Sequence, residues 1–381
     1  MRFSPEPGRS SERAFGELAR RLEARAAWSG FPRTSADTDP VRVWLAAGVL
    51  DPGERALLER LPSSALIPPP TDGGLWQLSA PRAALAELAG RSDAAAVLLE
   101  VVENVRASPG PQKLMGIVNV TPDSFSDGGR FLDTDRAIEQ GLALARDGAD
   151  LLDVGGESTR PGARPVDEGE ECERVLPVIS ALAGAAAVPI SIDTSKAFVA
   201  ERALDAGATV INDVSAGRFD PRMLALVAER GAGIVLMHMQ GKPRDMQVTP
   251  RYDDVVREVF AHLRERLAHA WHGGIEPSRI AIDPGIGFGK RLEDNLDLIR
   301  AIPELRSLGL PVCLGVSRKS FLGKLSGEER AERRDPESAS AVAVAALLGA
   351  RIHRVHDVAG ARRALRIGAA LGGWAGSSEE A

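Results

Sequence analysis

The chain has 381 residues, of which 44% are hydrophobic and 26% are charged, a balance that is typical of a soluble globular protein. The formal net charge of −6 argues against a general nucleic-acid-binding surface, although it leaves room for a local basic pocket that binds a small anion. No apolar run reaches the roughly 18 residues that a membrane span needs, and the first residues include glutamates but no apolar signal stretch. We therefore expect a cytoplasmic protein that binds neither nucleic acid nor membrane.

The N-terminal part of the chain predicts an appendage. Residues 1–40 are rich in Arg, Glu, Ser and Pro, which predicts a loosely ordered segment with at most one short amphipathic helix, over Glu12–Ala27. Residues 41–108 begin with an apolar stretch that predicts a strand or the start of a helix. Helix-like runs follow at 52–61, 81–90 and 98–105. We expect a small α/β or helical appendage of unknown role, open to partner binding or assembly, followed by a linker at 108–112.

From residue 109 to residue 375 the pattern becomes regular, with short apolar runs between helix-like stretches. The apolar runs lie at 114–120, 151–156, 189–195, 209–215, 233–239, 280–285, 311–317 and 352–358. Apolar strands that alternate with helices predict a parallel sheet. Eight such units over roughly 260 residues predict a closed (β/α)₈ barrel, also called a TIM barrel. An open doubly wound sheet is the alternative, and it is less favoured because no G-x-G-x-x-G follows the first run.

The two cysteines, Cys172 and Cys313, lie far apart in the sequence. This spacing indicates neither a disulfide framework nor a zinc site. Cys313 stands in the apolar run PVCLGV, which predicts a small buried side chain.

Polar residues follow nearly every apolar run at its C-terminal end. They are Asn119, Asp153, Asp193, Asn212, His238, Asp283, Ser317 with Lys319, and Arg354 with His356. In a barrel these ends converge on one face, where active sites form. Solubilising residues scattered at strand ends are the alternative. A carboxylate or amide placed after apolar residues is costly to bury unless it is paired or used, which favours a site.

Three loops at this face are rich in Gly and Pro. The first apolar run continues into NVTPDSFSDGGRF and the second into GGESTRPGARP, which are loops suited to cover a barrel face. In DPGIGFGK, at 283–290, the glycines allow the backbone to approach a flat ligand or a phosphate.

Eight motifs between Leu114 and Val358 together resemble the dihydropteroate synthase family. In chain order they are LMGIVNVTPDSFSDGG, GGESTRPGA, ISIDTSK, INDVSAG, HMQGKP, DPGIGFGK, GVSRKSF and RVHDV. The resemblance implies that 6-hydroxymethyl-7,8-dihydropterin pyrophosphate is condensed with p-aminobenzoate, with release of pyrophosphate and with Mg²⁺ as cofactor. It also implies a homodimer whose ligands are small molecules. Relative to the family, Ile286 stands where Phe is frequent and Lys242 where a shorter residue is usual.

The resemblance also implies roles for individual residues. The implied catalytic residues are Asp193, Lys319 and Arg354. The implied pterin-binding residues are Asp193, Asn212, Met237, Asp283, Lys319 and Arg354. The implied pyrophosphate-binding residues are Asn119, Thr159, Arg160, Arg354 and His356, with Asn119 also at the Mg²⁺ position. The implied p-aminobenzoate-binding residues are Phe125, Asp127, Thr159, Pro161, Phe288, Ser317, Lys319 and Ser320.

The chemistry of these residue types suits the implied ligands. Carboxylates can accept the N–H groups of a pterin, and an amide with waters and substrate phosphates suits Mg²⁺. A helix that opens after Ser317 would present its N-terminus to a carboxylate. We expect an SN1-like reaction, in which pyrophosphate leaves first and Asp193 stabilises the resulting pterin methylene cation. The alternatives are a pterin-dependent methyltransferase and a pterin-binding protein without activity.

Overall fold

The computed structural model describes residues 25–27, 40–46, 56, 65–67, 75–89, 93–106, 110–121, 130–159 and 162–372. The chain divides into two compact units. The larger contains Pro109–Ile299 and Pro311–Ala381, and the smaller contains Glu6–Ser108 and Arg300–Leu310.

The described part of the smaller unit contains a four-stranded antiparallel sheet with two consecutive helices. The strands are β1 (Arg25–Ala27), β2 (Pro40–Ala46), β3 (Ala65–Ile67) and β4 (Leu75–Pro81), in the order β1-β2-β4-β3. The helices are α1 (Arg82–Ala89) and α2 (Asp93–Arg106). Leu98, Val101 and Val102 of α2 are fully buried, at the three- and four-residue spacing of one helix face.

Some of the helices predicted for this unit are present, and one is wrong at its end. Helix α1 coincides with the helix-like run at 81–90, and helix α2 contains the run at 98–105 but already begins at Asp93. The run at 52–61 lies outside the described residues except for Ala56, and most of Glu12–Ala27 lies outside them as well. The helix predicted there is wrong at its end, because Arg25–Ala27 pairs with β2 as a strand. Pairing with Arg42–Trp44 supplies backbone partners that a helix would otherwise provide.

The larger unit is the predicted (β/α)₈ barrel. Its strands are β5 (Lys113–Asn119), β6 (Leu151–Gly155), β7 (Ile190–Asp193), β8 (Val210–Asp213), β9 (Gly233–Met237), β10 (Ile280–Asp283), β11 (Cys313–Leu314) and β12 (Ile352–Val355). They form one eight-stranded parallel sheet, in the order β10-β9-β8-β7-β6-β5-β12-β11. A parallel bridge between Ile282 and Val312 joins the ends of this order, and the Ile282 amide donates to the Pro311 carbonyl at 3.0 Å. The sheet therefore closes, and the open doubly wound alternative is wrong.

The barrel helices follow the strands in chain order. They are α3 (Arg130–Arg146), α4 (Glu168–Ala185), α5 (Ala197–Asp205), α6 (Met223–Arg230), α7 (Val255–His272), α8 (Leu292–Arg300), α10 (Ser320–Ser326), α11 (Asp335–Leu347) and α12 (Val358–Gly372). Side-chain caps begin two of them: Asp167 accepts from the Glu170 amide before α4, and Asp254 accepts from the Arg257 amide before α7. No helix among the described residues is long and apolar enough to cross a membrane.

Helix α9 (Ile302–Arg306) lies in the sequence between two barrel strands, yet it groups with the smaller unit. It packs against β1 and α2, and its apolar residues Ile302 and Leu305 are fully buried.

Most of the barrel interior is apolar away from the carboxyl ends of the strands. One buried cluster takes a residue from most strands: Met115, Leu151, Val210, Val235, Ala281, Cys313 and Ile352. Cys313 is 1% exposed, which confirms the prediction of a small buried side chain. Burial raises the pKa of its thiol well above the ordinary value.

Candidate active site at the carboxyl ends of the barrel strands

Strand register aligns polar residues in one row around part of the barrel mouth. Asn119 pairs with Gly155, Gly155 with Asp193, and Asp193 with Asn212. Each lies at or next to the carboxyl end of its strand, because the apolar runs before them fill the barrel interior. The sequence-predicted residues Asn119, Asp193 and Asn212 are therefore brought together on one face.

Two of these residues, Asp193 and Asn212, form a hydrogen-bonded network with Asp153 and Arg354, which we call the strand-end network. Arg354 donates from Nε to Asp153 Oδ2 at 2.6 Å and from Nη2 to Asp193 Oδ2 at 2.8 Å. Asn212 Nδ2 donates to the same Asp153 oxygen at 3.0 Å. The guanidinium thus bridges two buried carboxylates from neighbouring strands, an arrangement that fixes its plane.

Burial and the paired charges shift the pKa of two members of this network, Asp193 and Arg354. It raises the pKa of Asp193 to about 7, against the opposing effect of Arg354. Burial disfavours the charge on Arg354, but Asp153 and Asp193 outweigh it and hold the pKa of the guanidinium above its ordinary value. In the described part of the chain, the second oxygens of Asp153 and Asp193 are buried and accept no hydrogen bond. Acceptors of this kind are costly unless a ligand supplies donors, and the N–H groups of a pterin are such donors.

Across the barrel mouth, loop 284–289 follows Asp283 and is held at each of four consecutive carbonyls. The donors are Lys319 to Ile286, Gln247 to Gly287 at 2.6 Å, Lys290 to Phe288 at 3.0 Å and Tyr252 to Gly289 at 2.8 Å. At Gly285 φ is +70°, and an added Cβ would lie 1.9 Å from the His238 carbonyl oxygen, so only glycine fits. The loop is therefore fixed by backbone geometry and by side-chain donors.

Two lysines contact this loop. Lys319 Nζ stands 4.7 Å from the centroid of the Phe288 ring, and burial lowers its pKa to about 8, against the opposing charge of Asp283. Lys290 is 3% exposed and also contacts His238 Nδ1 at 3.0 Å. Burial lowers its pKa to about 7. Burial raises the pKa of Asp283, against the opposing effect of Lys319.

The turn after β11 carries further site residues. The Lys319 amide donates to the Val316 carbonyl at 3.2 Å, so residues 316–319 form a tight turn, and Arg318 within it has a φ of +59°. Ser317 Oγ lies 2.9 Å from His356 Nδ1 and accepts from the His356 amide at 3.1 Å. We call residues 284–289 together with residues 316–319 the loop side of the site.

The loop after β6, which carries Thr159, is tied at both ends by one ammonium group. Lys196 Nζ contacts Glu157 Oε2 at 2.5 Å near the start of the loop and the Val166 carbonyl at 2.7 Å near its end. The same nitrogen contacts the fully buried Glu171 at 2.5 Å. Burial raises the pKa of Glu171, against the opposing effect of Lys196.

Comparison with known proteins decides the family. Residues 115–356 match the family model for pterin binding enzymes. The chain is 47% identical over 271 residues to dihydropteroate synthase of Mycobacterium leprae, covering 69% of this chain and 94% of that one. The chain belongs to the dihydropteroate synthase family. It is a pterin-transferring enzyme, which disfavours the methyltransferase alternative.

Solved dihydropteroate synthases show the same fold. The structure from Xanthomonas albilineans with 4-aminobenzoic acid has a TM-score of 0.66 and 49% identity, over 69% of this chain and 94% of that one. A second structure from this organism, in complex with 7,8-dihydropteroate, has a TM-score of 0.63 and 45% identity, over 70% of this chain and 95% of that one.

Most of the site residues implied by the family resemblance lie at this face of the barrel. Met237 is buried with Val214, Met239 and Met246, and Phe288 packs against that cluster. Ser320 begins helix α10, as the sequence predicts. The apolar run at 352–358 predicts His356 within a strand, but strand β12 ends at Val355 and His356 follows it. Phe125, Asp127, Arg160 and Pro161 lie outside the described residues.

The protein's oxygen ligands fit Mg²⁺ only if phosphate oxygens of the substrate and waters complete the coordination shell. Within the described ranges, no group of three or more His, Cys, Asp or Glu side chains is arranged to hold a metal ion. Asn119 ends strand β5 and is partly exposed. One amide oxygen, completed by phosphate oxygens and waters, suits Mg²⁺ because this ion usually retains waters and uses substrate phosphates as ligands.

Sequence reasoning missed several residues that shape the site. Asp153, which the sequence predicts at the end of an apolar run without a role, lies in the middle of β6 and accepts from both Arg354 and Asn212. Gln247, Tyr252 and Lys290 received none either, although they hold the loop carbonyls. For Asp153 and Lys290 a signal existed, since both are ionisable residues placed beside apolar runs or glycines.

Proposed function

We propose that this dihydropteroate synthase condenses 6-hydroxymethyl-7,8-dihydropterin pyrophosphate with p-aminobenzoate, by an SN1-like path. The observation that carries the proposal is the pair of buried carboxylates bridged by Arg354, each with one oxygen that accepts no hydrogen bond within the described residues. Such oxygens suit a flat ligand that is rich in N–H donors. The ligands present in the Xanthomonas albilineans structures, 4-aminobenzoic acid and 7,8-dihydropteroate, support the choice of substrates.

The pterin is proposed to bind between the strand-end network and Asp283. Asp193, Asn212 and Asp283 supply acceptors and an amide for the ring edge. Met237 lines the apolar floor, where it is 4% exposed. Arg354 already donates to both carboxylates, so it offers its remaining edge and its face to the ligand.

The pyrophosphate is proposed to leave toward Asn119, Thr159, Arg160, Arg354 and His356. Cationic and N–H groups there neutralise charge that grows on the leaving group. Asn119 together with the diphosphate oxygens would hold Mg²⁺, which when bound supplies further charge neutralisation.

The p-aminobenzoate is proposed to lie on the loop side, near Phe125, Asp127, Thr159, Pro161, Phe288, Ser317, Lys319 and Ser320. Lys319 and Ser317 provide donors, and the Phe288 ring provides an apolar wall. Because the arylamine attacks as a neutral nucleophile, a strong general base is not required.

The bond between the pterin methylene carbon and the pyrophosphate oxygen breaks, and its electron pair leaves with pyrophosphate. The carboxylate of Asp193 stabilises the methylene cation, whose charge is delocalised into the ring. The nitrogen of p-aminobenzoate then forms the new C–N bond, and its proton passes to solvent or to pyrophosphate.

Pyrophosphate release by the purified chain tests the proposal. The chain is given the pterin pyrophosphate, Mg²⁺ and p-aminobenzoate, with controls that lack either p-aminobenzoate or Mg²⁺. Release coupled to dihydropteroate formation is the expected result. Tight pterin pyrophosphate binding without turnover would instead identify a binding protein without activity. The homodimer and the cytoplasmic location are also proposals, and the mass of the protein in solution tests the first.

A further inference from the structure

The turn at residues 316–319 contains a residue in an unfavourable backbone conformation. Arg318 has a φ of +59°, and in the described part of the chain only Ala216 shares a positive φ among non-glycine residues. The third position of a turn with positive φ favours Gly or Asn, because a Cβ clashes with the backbone there. Residues held in such conformations are associated with functional sites when the surrounding structure fixes them.

The segment around the start of α11 holds the backbone amide, the backbone carbonyl and the guanidinium of Arg318. The Arg318 amide donates to Ser338 Oγ at 2.9 Å, and Arg334 Nη1 donates to the Arg318 carbonyl at 3.1 Å. The guanidinium donates from Nε and Nη2 to the two oxygens of Asp335, both at 2.7 Å. We call Arg334, Asp335 and Ser338 the Arg318 clamp. Ser338 and Arg334 are buried, so the clamp is anchored in the protein interior.

The clamp acts on two residues assigned to the site. Ser317 and Lys319 are the chain neighbours of Arg318, and they contact different partners. Ser317 Oγ contacts the His356 ring, and Lys319 Nζ donates to the Ile286 carbonyl. A change in φ at Arg318 would rotate one of them relative to the other. An arginine here therefore makes the turn depend on a contact from outside it, whereas a glycine would adopt the turn unaided.

We propose that Arg318 and Asp335 are positioning residues, which hold the turn in its left-handed conformation and thereby place Lys319 and Ser317 for the second substrate. The role assigned to those two residues rests on the proposed function, but the conformational argument does not. Asp335 has no place in the ligand pocket proposed above and acts only through Arg318.

Glycine and alanine at position 318 separate the conformation from the side chain. Both Arg318→Ala and Arg318→Gly remove the guanidinium, but only glycine adopts a positive φ without steric cost. We expect Arg318→Ala to lower kcat/KM for p-aminobenzoate about tenfold or more, and Arg318→Gly to be about fivefold more active than Arg318→Ala. A role limited to tethering α11 would give two equally impaired variants, or a worse glycine variant, and that result would overturn the proposal.

Asp335→Asn tests whether the clamp acts through Arg318, and it still serves if Arg318→Ala does not fold. We expect a loss of a few fold in the wild-type background, mainly in KM for p-aminobenzoate, and no further loss in the Arg318→Gly background. An equal loss in both backgrounds would contradict the clamp. The matched control is Asp205→Asn, which breaks an ion pair with Arg230 of 2.6 Å away from the turn and is expected to leave kcat/KM unchanged.

A binding measurement keeps this test separate from the proposed function. Calorimetric affinity for p-aminobenzoate, in the presence of inorganic pyrophosphate, should rank wild type above Arg318→Gly and Arg318→Gly above Arg318→Ala. A wild-type chain that binds p-aminobenzoate without p-aminobenzoate-dependent pyrophosphate release would overturn the proposed function, while this ranking would still decide the clamp. Equal affinities of the two variants would overturn the clamp alone.

Discussion

The two halves of the barrel mouth achieve precision in different ways. In the strand-end network, side chains from neighbouring strands pair directly, as Arg354 does with Asp153 and Asp193. On the loop side, the backbone takes conformations that strands do not allow, and side chains from elsewhere hold its carbonyls. The strand-end network holds charged side chains in fixed positions, and the loop side holds the backbone of the site in a fixed conformation. Substitutions in the network should therefore affect the chemical step most, and substitutions on the loop side should affect binding of the second substrate.

The largest effect is expected from Arg354→Met, which leaves Asp153 and Asp193 as uncompensated buried carboxylates. We expect kcat/KM to fall by about 10³ and the free energy of unfolding to fall by about 3 kcal/mol. Pyrophosphate release and urea unfolding measure the two quantities. Arg366→Met, an exposed change on α12, is the matched control and should alter neither. A fully active Arg354→Met variant would remove the network from the mechanism.

Asp193→Asn keeps the shape of the network but removes the charge proposed to stabilise the cation. We expect kcat to fall about 10²-fold, with a smaller change in the dissociation constant of the pterin pyrophosphate. Single-turnover measurements and binding titrations separate the two. Lost binding with an unchanged turnover rate would mean that Asp193 only holds the substrate.

The dependence of kcat/KM on pH should have an acid limb that is due to Asp193 in the strand-end network and an alkaline limb that is due to Lys319 on the loop side. Burial raises the pKa of Asp193 to about 7, so its carboxylate forms as pH rises through that value and kcat/KM increases. Burial lowers the pKa of Lys319 to about 8, so its ammonium is lost as pH rises further and kcat/KM decreases. We expect a bell-shaped profile with its maximum between these values.

The Asp193→Asn variant provides the control for this profile. It should lose the acid limb and retain the alkaline limb. A flat profile to pH values well above 8 would exclude a required proton on Lys319.

The smallest effect is expected from Tyr252→Phe, which removes one of the four side-chain donors to loop 284–289. The lost hydrogen bond, 2.8 Å to the Gly289 carbonyl, should lower the free energy of unfolding by about 1 kcal/mol. We expect a rise in KM for p-aminobenzoate of about twofold, with kcat unchanged, because the other three carbonyls remain held. A loss as large as that of Arg354→Met would show that shape and charge cannot be separated in this site.

Part of the strand-end network was accessible from the sequence because strands impose a simple rule. An apolar run that ends in Asp or Asn predicts both the strand and the position of its polar residue, as at Asp193, Asn212 and Asp283. The rule does not depend on knowing the register, since all carboxyl ends of parallel strands meet on one face.

The loop side was less accessible, because its contacts join distant segments without any periodicity. Tyr252 and Gln247 reach loop 284–289 from a stretch with no strand or helix pattern. The sequence does not predict the positive φ of Arg318, because arginine is not typical of that conformation. Only the glycines of DPGIGFGK pointed to a special backbone there, and they did not reveal which side chains hold it.

Helix α9 has a consequence for anyone who wishes to trim this chain to a minimal enzyme. A cut at residue 108 removes β1 and α2, the elements against which α9 packs, while the helix itself stays in the sequence between two barrel strands. The surface of α9 that packs against β1 and α2 would then face water and could promote self-association of the shortened protein. A truncated protein should therefore also have residues 300–310 replaced by a short polar connection. Any self-association that remains would then arise from the barrel and not from α9.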